Sequence, residues 1–116
     1  MELEQRIAGN VAIIKVTGDI TLNKGGNVIL KDKVQSLLQQ GHKNLLIDLS
    51  GVSYVDSAGL GELVQAYATT KNRGGALKLL NVTKRLRDLL IVTKLLTVFD
   101  AFDSEADALA SFAAAS

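Results

Sequence analysis

Residues 45–61 read LLIDLSGVSYVDSAGLG, and the fold is decided here. Leu45, Leu46, Ile47, Asp48 and Leu49 are nearly continuous apolar residues, as in a strand covered on both faces. Further on, Leu60, Leu63, Val64 and Tyr67 fall at i, i+3, i+4 and i+7, one face of a helix. The reading is therefore a buried strand, a loop and the first turn of a helix. Asp56 and Ser57 are both N-cap residues by type. A serine hydroxyl is thus presented at the positive end of a helix that leaves a central strand. An added phosphate or a partner's carboxylate meets unpaired backbone N–H groups at such a place.

Working outward, strands and helices alternate. Leu3 to Ala8 is a weakly patterned strand, and Gly9-Asn10 marks a hairpin turn. Val11 to Thr17, rich in β-branched residues, is the clearer strand, and Gly18 ends it. Asp19 to Asn27 is a polar loop containing Gly25-Gly26. A helix runs to about Gln40, with Leu30, Val34, Leu37 and Leu38 inward and Gly41 after its end. Beyond the Ser57 helix, which stops at Asn72-Arg73-Gly74-Gly75, Ala76 to Asn81 is a short strand. Thr83 caps a helix that turns Leu86, Leu89 and Leu90 inward. Thr97 to Phe102 is a last strand, and Ser104 with Asp107 caps a terminal helix with Ala106, Leu109, Ala110 and Ala113 as its apolar stripe. The alternation implies parallel strands joined by helical crossovers. The expected fold is α/β: a mixed sheet of about four to five strands, covered by about four helices, with an antiparallel N-terminal hairpin.

Composition narrows the function. With 116 residues and 47% hydrophobic content, one globular domain spanning residues 1–116 is expected. A net charge of +1 and singly scattered aromatics argue against nucleic acid as a direct partner. The chain has no Cys, so thiolate metal sites, disulfides and thiol catalysis are out. The acidic start Met1-Glu2-Leu3-Glu4 is no signal peptide, and the apolar run Leu89 to Val92 is too short for membrane insertion. A cytoplasmic location is the expectation. There is no proline and no linker-like stretch.

Catalysis finds little support. A serine nucleophile needs a base within hydrogen-bond reach, and the one histidine, His42, lies in the turn after the first long helix. The residues Val55-Asp56-Ser57-Ala58-Gly59 are not a G-x-S-x-G elbow. Neither G-x-x-x-x-G-K-S/T nor G-x-G-x-x-G occurs, so no cofactor or metal is expected. Lys84, Arg85, Arg87 and Lys94 precede Asp100, Asp103, Glu105 and Asp107, and no basic residue follows Lys94. This reads as solvated helix faces with acids at a helix start, or as a docking face. Gly59 and Gly61 both sit in the first helical turn, each at a cost of about 1 kcal/mol against alanine. Bare backbone there implies close approach to the neighbouring strand or to a partner protein.

In this setting the run Asp48-Leu49-Ser50-Gly51-Val52-Ser53-Tyr54-Val55-Asp56-Ser57-Ala58-Gly59-Leu60-Gly61 resembles the STAS domain family, specifically its anti-sigma-factor antagonists. It is similar to the signature D-L-x-x-V-x-x-hydrophobic-D-S-(S/T/A)-G-L-G. Gly18-Asp19, Arg73-Gly74-Gly75 and Val82 to Leu90 extend the likeness over nearly the whole chain. The resemblance implies that Ser57 is phosphorylated by a partner that is both anti-sigma factor and serine kinase. It implies that the unphosphorylated form binds that partner, that phosphorylation ends the binding, and that a phosphatase acting on Ser57 restores it. The partner-binding residues it implies are Asp19, Thr21, Asp56, Ala58, Gly59, Leu60 and Gly61. Ala58 stands where many members carry a second hydroxyl, and Thr21 where many carry Asp. Two other readings stand beside this one: a constitutive STAS subunit of a lipid-transport or stress-signalling complex, and a small-molecule hydrolase using Ser57.

The physics suits a switch. Phosphoserine adds about −1.5 to −2 charge at pH 7. Beside Asp56 the repulsion is on the order of a few kcal/mol at intermediate dielectric. The helix N-terminus offsets about 0.5–2 kcal/mol of that. A partner's acidic or apolar surface offers no such offset.

Overall fold

The structure, a computed structural model, describes residues 2–21 and 26–114. In chain order these form β1 (Glu2–Ala8), β2 (Val11–Ile20), α1 (Gly26–Gln39), β3 (Asn44–Val55) and α2 (Ser57–Asn72). They continue with β4 (Ala76–Leu80), α3 (Lys84–Val92), β5 (Ala101–Phe102) and α4 (Glu105–Ala114). The sheet has five strands in the order β1-β2-β3-β4-β5. β1 and β2 are antiparallel, and every later neighbour is parallel. The mixed sheet with its N-terminal hairpin and four helices is the α/β arrangement expected from the sequence.

Strand order follows chain order, so successive right-handed crossovers put α1, α2 and α3 on the same face. There Leu30, Val34 and Leu37 of α1, Leu60 and Leu63 of α2, and Leu86 and Leu90 of α3 cover Ile14, Leu45, Ile47, Leu49 and Leu79 of the sheet. Side chains alternate along a strand, so Val11, Ile13, Leu46 and Leu80 face the other way. They meet Ala108 and Phe112 of α4. Lys78 is buried on that side, with its Nζ 2.9 Å from Ser111 Oγ and 4.8 Å from the centre of the Phe112 ring.

Five local expectations are corrected. β3 does not end at Leu49 but runs on to Val55, so the expected loop over Ser50–Val55 is strand. β2 passes through Gly18, whose φ of +100° admits a register shift, and pairs again until Ile20 faces Val55. This long pairing also shortens the expected Asp19–Asn27 loop from both sides, because α1 starts at Gly26; Gly25 lies outside the described residues. The last strand is only Ala101–Phe102, since Val98 and Phe99 turn back to the Leu95 carbonyl and bury Phe99 edge-on against Tyr67. On α4 the buried residues are Ala108 and Phe112, with Leu109 beside them, whereas Ala106, Ala110 and Ala113 are exposed. Phe112 is the large side chain of that helix, and its burial sets the helix rotation.

Candidate functional site

The start of α2 is built by three neighbours in sequence with different tasks. Asp56 is the N-cap: its backbone is extended, and its Oδ1 accepts from Gly59 N–H at 2.7 Å. The Asp56 carbonyl accepts from Leu60 N–H at 2.8 Å, the first bond of the helix. Ser57 is therefore the first helical residue and not the cap, and its side chain is exposed. Because Asp56 occupies the Gly59 donor, the N–H groups of Ser57 and Ala58 are the ones left for solvent or a ligand. A hydroxyl, two backbone donors and the positive helix end thus meet at one accessible point.

Gly59 explains how this point is held. A Cβ there would lie 1.9 Å from the Ile20 carbonyl oxygen, so the first turn of α2 rests directly on the end of β2. The Asp56 N–H reaches the same oxygen at 3.4 Å. Asp19 and Thr21, flanking Ile20, are thereby brought beside the helix start, and both are half-buried. Gly61 differs: a Cβ there would meet nothing within 4 Å, and the residue is exposed. The close approach inferred for both glycines belongs to the neighbouring strand at Gly59, while at Gly61 the bare backbone faces outward. Leu60 lies in the core at 6% exposure, so its side chain holds the helix to the sheet. Of the candidate set, Ser57, Ala58 and Gly61 are exposed, Asp19, Thr21 and Asp56 half-buried, and Gly59 and Leu60 buried.

Two features escaped the sequence reading. The carboxylate of Glu62, on a residue only 3% exposed, accepts from Lys31 N–H of α1 at 3.0 Å. Burial pushes its carboxyl above the usual range, against the opposing pull of that hydrogen bond. The available signal was its position, three residues after Gly59 and four before Ala66 on the inward face. The second is a groove of about 230 Å³ where the end of β3 meets the start of α3, lined by Tyr54, Val55, Thr83, Arg85 and Leu89 among others. Val55 joins it to the Ser57 turn. Arg85, from the basic cluster, lines this groove, whereas Arg87 lies 3.9 Å from Asp103.

His42 cannot serve Ser57. It precedes β3 and Ser57 follows it, so the 12-residue strand separates them, about 3.3 Å per residue. No other imidazole exists in the chain. Among the described residues no group of His, Asp and Glu is arranged to hold a metal ion, and no helix is long and apolar enough to cross a membrane.

The family model described as "Mlab, STAS domain" matches residues 3–99. The chain is 37% identical over 97 residues to the anti-sigma-B factor antagonist of Bacillus subtilis (strain 168), covering 78% of this chain and 88% of that protein. Its fold matches an anti-sigma factor antagonist from Mycobacterium paratuberculosis with a TM-score of 0.82 and 21% identity, over 96% of this chain and 92% of that one. It also matches the Bacillus cell fate determinant SpoIIAA in its phosphorylated form, with a TM-score of 0.73 and 16% identity, over 95% and 98% of the two chains.

Proposed function

The chain belongs to the STAS domain family, and on that premise we propose that it is an anti-sigma-factor antagonist that works as a partner switch. Unphosphorylated, it binds an anti-sigma factor that is also a serine kinase, through the surface around Ser57. Phosphate on Ser57 ends that binding, and a phosphatase restores it. On this reading the chain is not an enzyme: Ser57 is the acceptor on which a partner kinase acts, and His42, the histidine of the chain, lies at the far end of β3.

The observation that carries this reading is the division of labour between Asp56 and Ser57. Asp56 caps the helix, so the Ser57 hydroxyl is free of structural duty and exposed at the helix start. A kinase can modify it without undoing the fold. Ala58 supplies no competing hydroxyl. Around Ser57, the exposed Gly61 backbone permits close approach of a partner, and Asp19, Thr21 and Asp56 give that surface its polar rim. A second negative group beside Asp56 then repels what the unphosphorylated surface accepts.

The test is reaction with the cognate anti-sigma factor and ATP, with mass-spectrometric mapping of the product. Phosphate on Ser57 and loss of the complex are expected. Phosphate mainly on Ser50, Ser53 or a threonine would contradict the assignment. A complex that persists unchanged without any phosphorylation would favour a constitutive subunit.

A further inference from the structure

We propose that the free edge of β1 is a self-pairing surface whose occupant is a second copy of this chain. β1 is the outer strand of the sheet, and among the described strands its one neighbour is β2. Its sequence, ELEQRIA, carries two acids and one arginine. Charges on an edge strand often keep it from pairing. Here their order does the opposite.

The hairpin fixes which backbone groups point outward. Ala8 pairs with Val11 across the two-residue turn Gly9-Asn10. In such a turn the closing residues exchange both hydrogen bonds. Alternation then directs the backbone groups of Glu2, Glu4, Arg6 and Ala8 to β2, and those of Leu3, Gln5 and Ile7 to the free edge. In an antiparallel pair of two such edges, outward residues must oppose outward residues. Three central registers meet that condition. One sets Gln5 opposite the second copy's Gln5, which places Glu4 opposite the second copy's Arg6 and Leu3 opposite its Ile7, over the whole strand. Slipping by one step either way sets Glu4 against Glu4 or Arg6 against Arg6. The register with the longest overlap is therefore the one that forms two pairs of opposite charge with no like-charged pair; one neighbour sets a central Glu4–Glu4 clash against two Glu2–Arg6 pairs, and the other has an Arg6–Arg6 clash with no opposite-charge pair.

Packing agrees on both faces. Leu3 already lies against the main core, and Ile7 is a large apolar side chain left 49% exposed, so their juxtaposition covers apolar surface. On the other face Arg6 donates to Glu105, and its five-donor guanidinium has capacity for a second carboxylate. The product is a continuous ten-stranded sheet across a two-fold axis at Gln5, with both Ser57 surfaces open because no candidate site residue lies on β1. One strand pair is a small interface, at the weak and reversible end of association.

Sedimentation equilibrium of the full chain tests this, from about 1 µM to about 1 mM. A reversible monomer–dimer equilibrium is expected. Glu4→Arg and Arg6→Glu, each alone, should weaken it at least about tenfold, since each turns two attractive cross-strand pairs into repulsive ones. Glu4→Arg leaves the Arg6–Glu105 pair in place but sets an arginine opposite Lys15 of β2, so circular dichroism and thermal melting of every variant show that it is folded before its association is read. The double variant Glu4→Arg/Arg6→Glu restores opposite charges and should return to within about threefold of the unmodified chain. A chain monomeric throughout the range, single variants that dimerise as before, or a double variant as weak as the singles would each overturn the proposal.

Discussion

Gly59 rests on the carbonyl oxygen of Ile20 so closely that a single added methyl carbon would fall 1.9 Å from it. This contact joins the first turn of α2 to the end of β2 and sets Asp19 and Thr21 beside Ser57. The two glycines of the turn should therefore respond oppositely to alanine.

Gly59→Ala forces the helix start off the strand and should cost about 1–3 kcal/mol or more, the range for overpacking a tight contact. Gly61→Ala meets open space and should stabilise the chain by up to about 1 kcal/mol through helix propensity. Urea denaturation of both variants measures this. On the proposed function, Gly61→Ala should also weaken partner binding despite its greater stability, because the added methyl stands on the docking surface. Equal binding by Gly61→Ala would remove Gly61 from that surface.

Asp56 and Ser57 divide their roles in a way that stability measurements can resolve. Asp56→Ala removes the acceptor of the Gly59 N–H and should cost about 0.5–2 kcal/mol. Ser57→Ala touches no cap bond and should change stability by less than about 0.5 kcal/mol. The reverse ranking would mean that Ser57 is the cap and that its hydroxyl is engaged in the fold.

Glu62 should give stability a pH dependence opposite to that of a salt-bridged acid. Burial, the larger influence, raises its carboxyl above the ordinary glutamate range, so the folded state holds its proton more tightly than the unfolded chain. Stability from this group is therefore fully present below the unfolded value and is lost as pH rises through the folded one. Lys31 and Asp32 of α1 face it, the first lowering and the second raising its carboxyl. Glu62→Gln keeps an oxygen acceptor for the Lys31 N–H and removes the titration. The stability of Glu62→Gln relative to the unmodified chain should rise between pH 4.5 and pH 7. A constant difference across that window would show that Glu62 does not titrate differently on folding.

Much of this architecture is visible in local pattern. The Gly9-Asn10 turn, the β-branched run from Val11, and the capping residues Thr83 and Ser104 all act within a few residues, and each holds in the structure. What the sequence hides is set by pairing at a distance. Ser50 to Val55 has the mixed character of a loop and becomes strand because β2 runs alongside it as far as Ile20. Gly18 looks like a terminator, yet its positive φ lets the strand resume. The placement of Ser57 at the helix start was legible from strand, cap and helix periodicity, but the choice of Asp56 as the cap was not, since both side chains suit that position. Glu62 was hidden because a charged residue on a helix is ordinarily solvated, and only the packing of α1 over it buries the carboxylate.

The most direct test of the switch is the affinity of the cognate anti-sigma factor for four forms of the chain: unmodified, phosphorylated on Ser57, Ser57→Ala and Ser57→Asp. Circular dichroism establishes that all four are equally folded. Unmodified protein and Ser57→Ala should bind alike, and Ser57→Ala should stay bound when ATP is present. The phosphorylated form should bind several hundredfold more weakly, the equivalent of about 3–4 kcal/mol. Ser57→Asp should fall between them, since its carboxylate suits a helix N-terminus but brings a single charge to the same surface. Equal, tight binding by the phosphorylated form and by Ser57→Asp would contradict the claim that charge at Ser57 is what releases the partner.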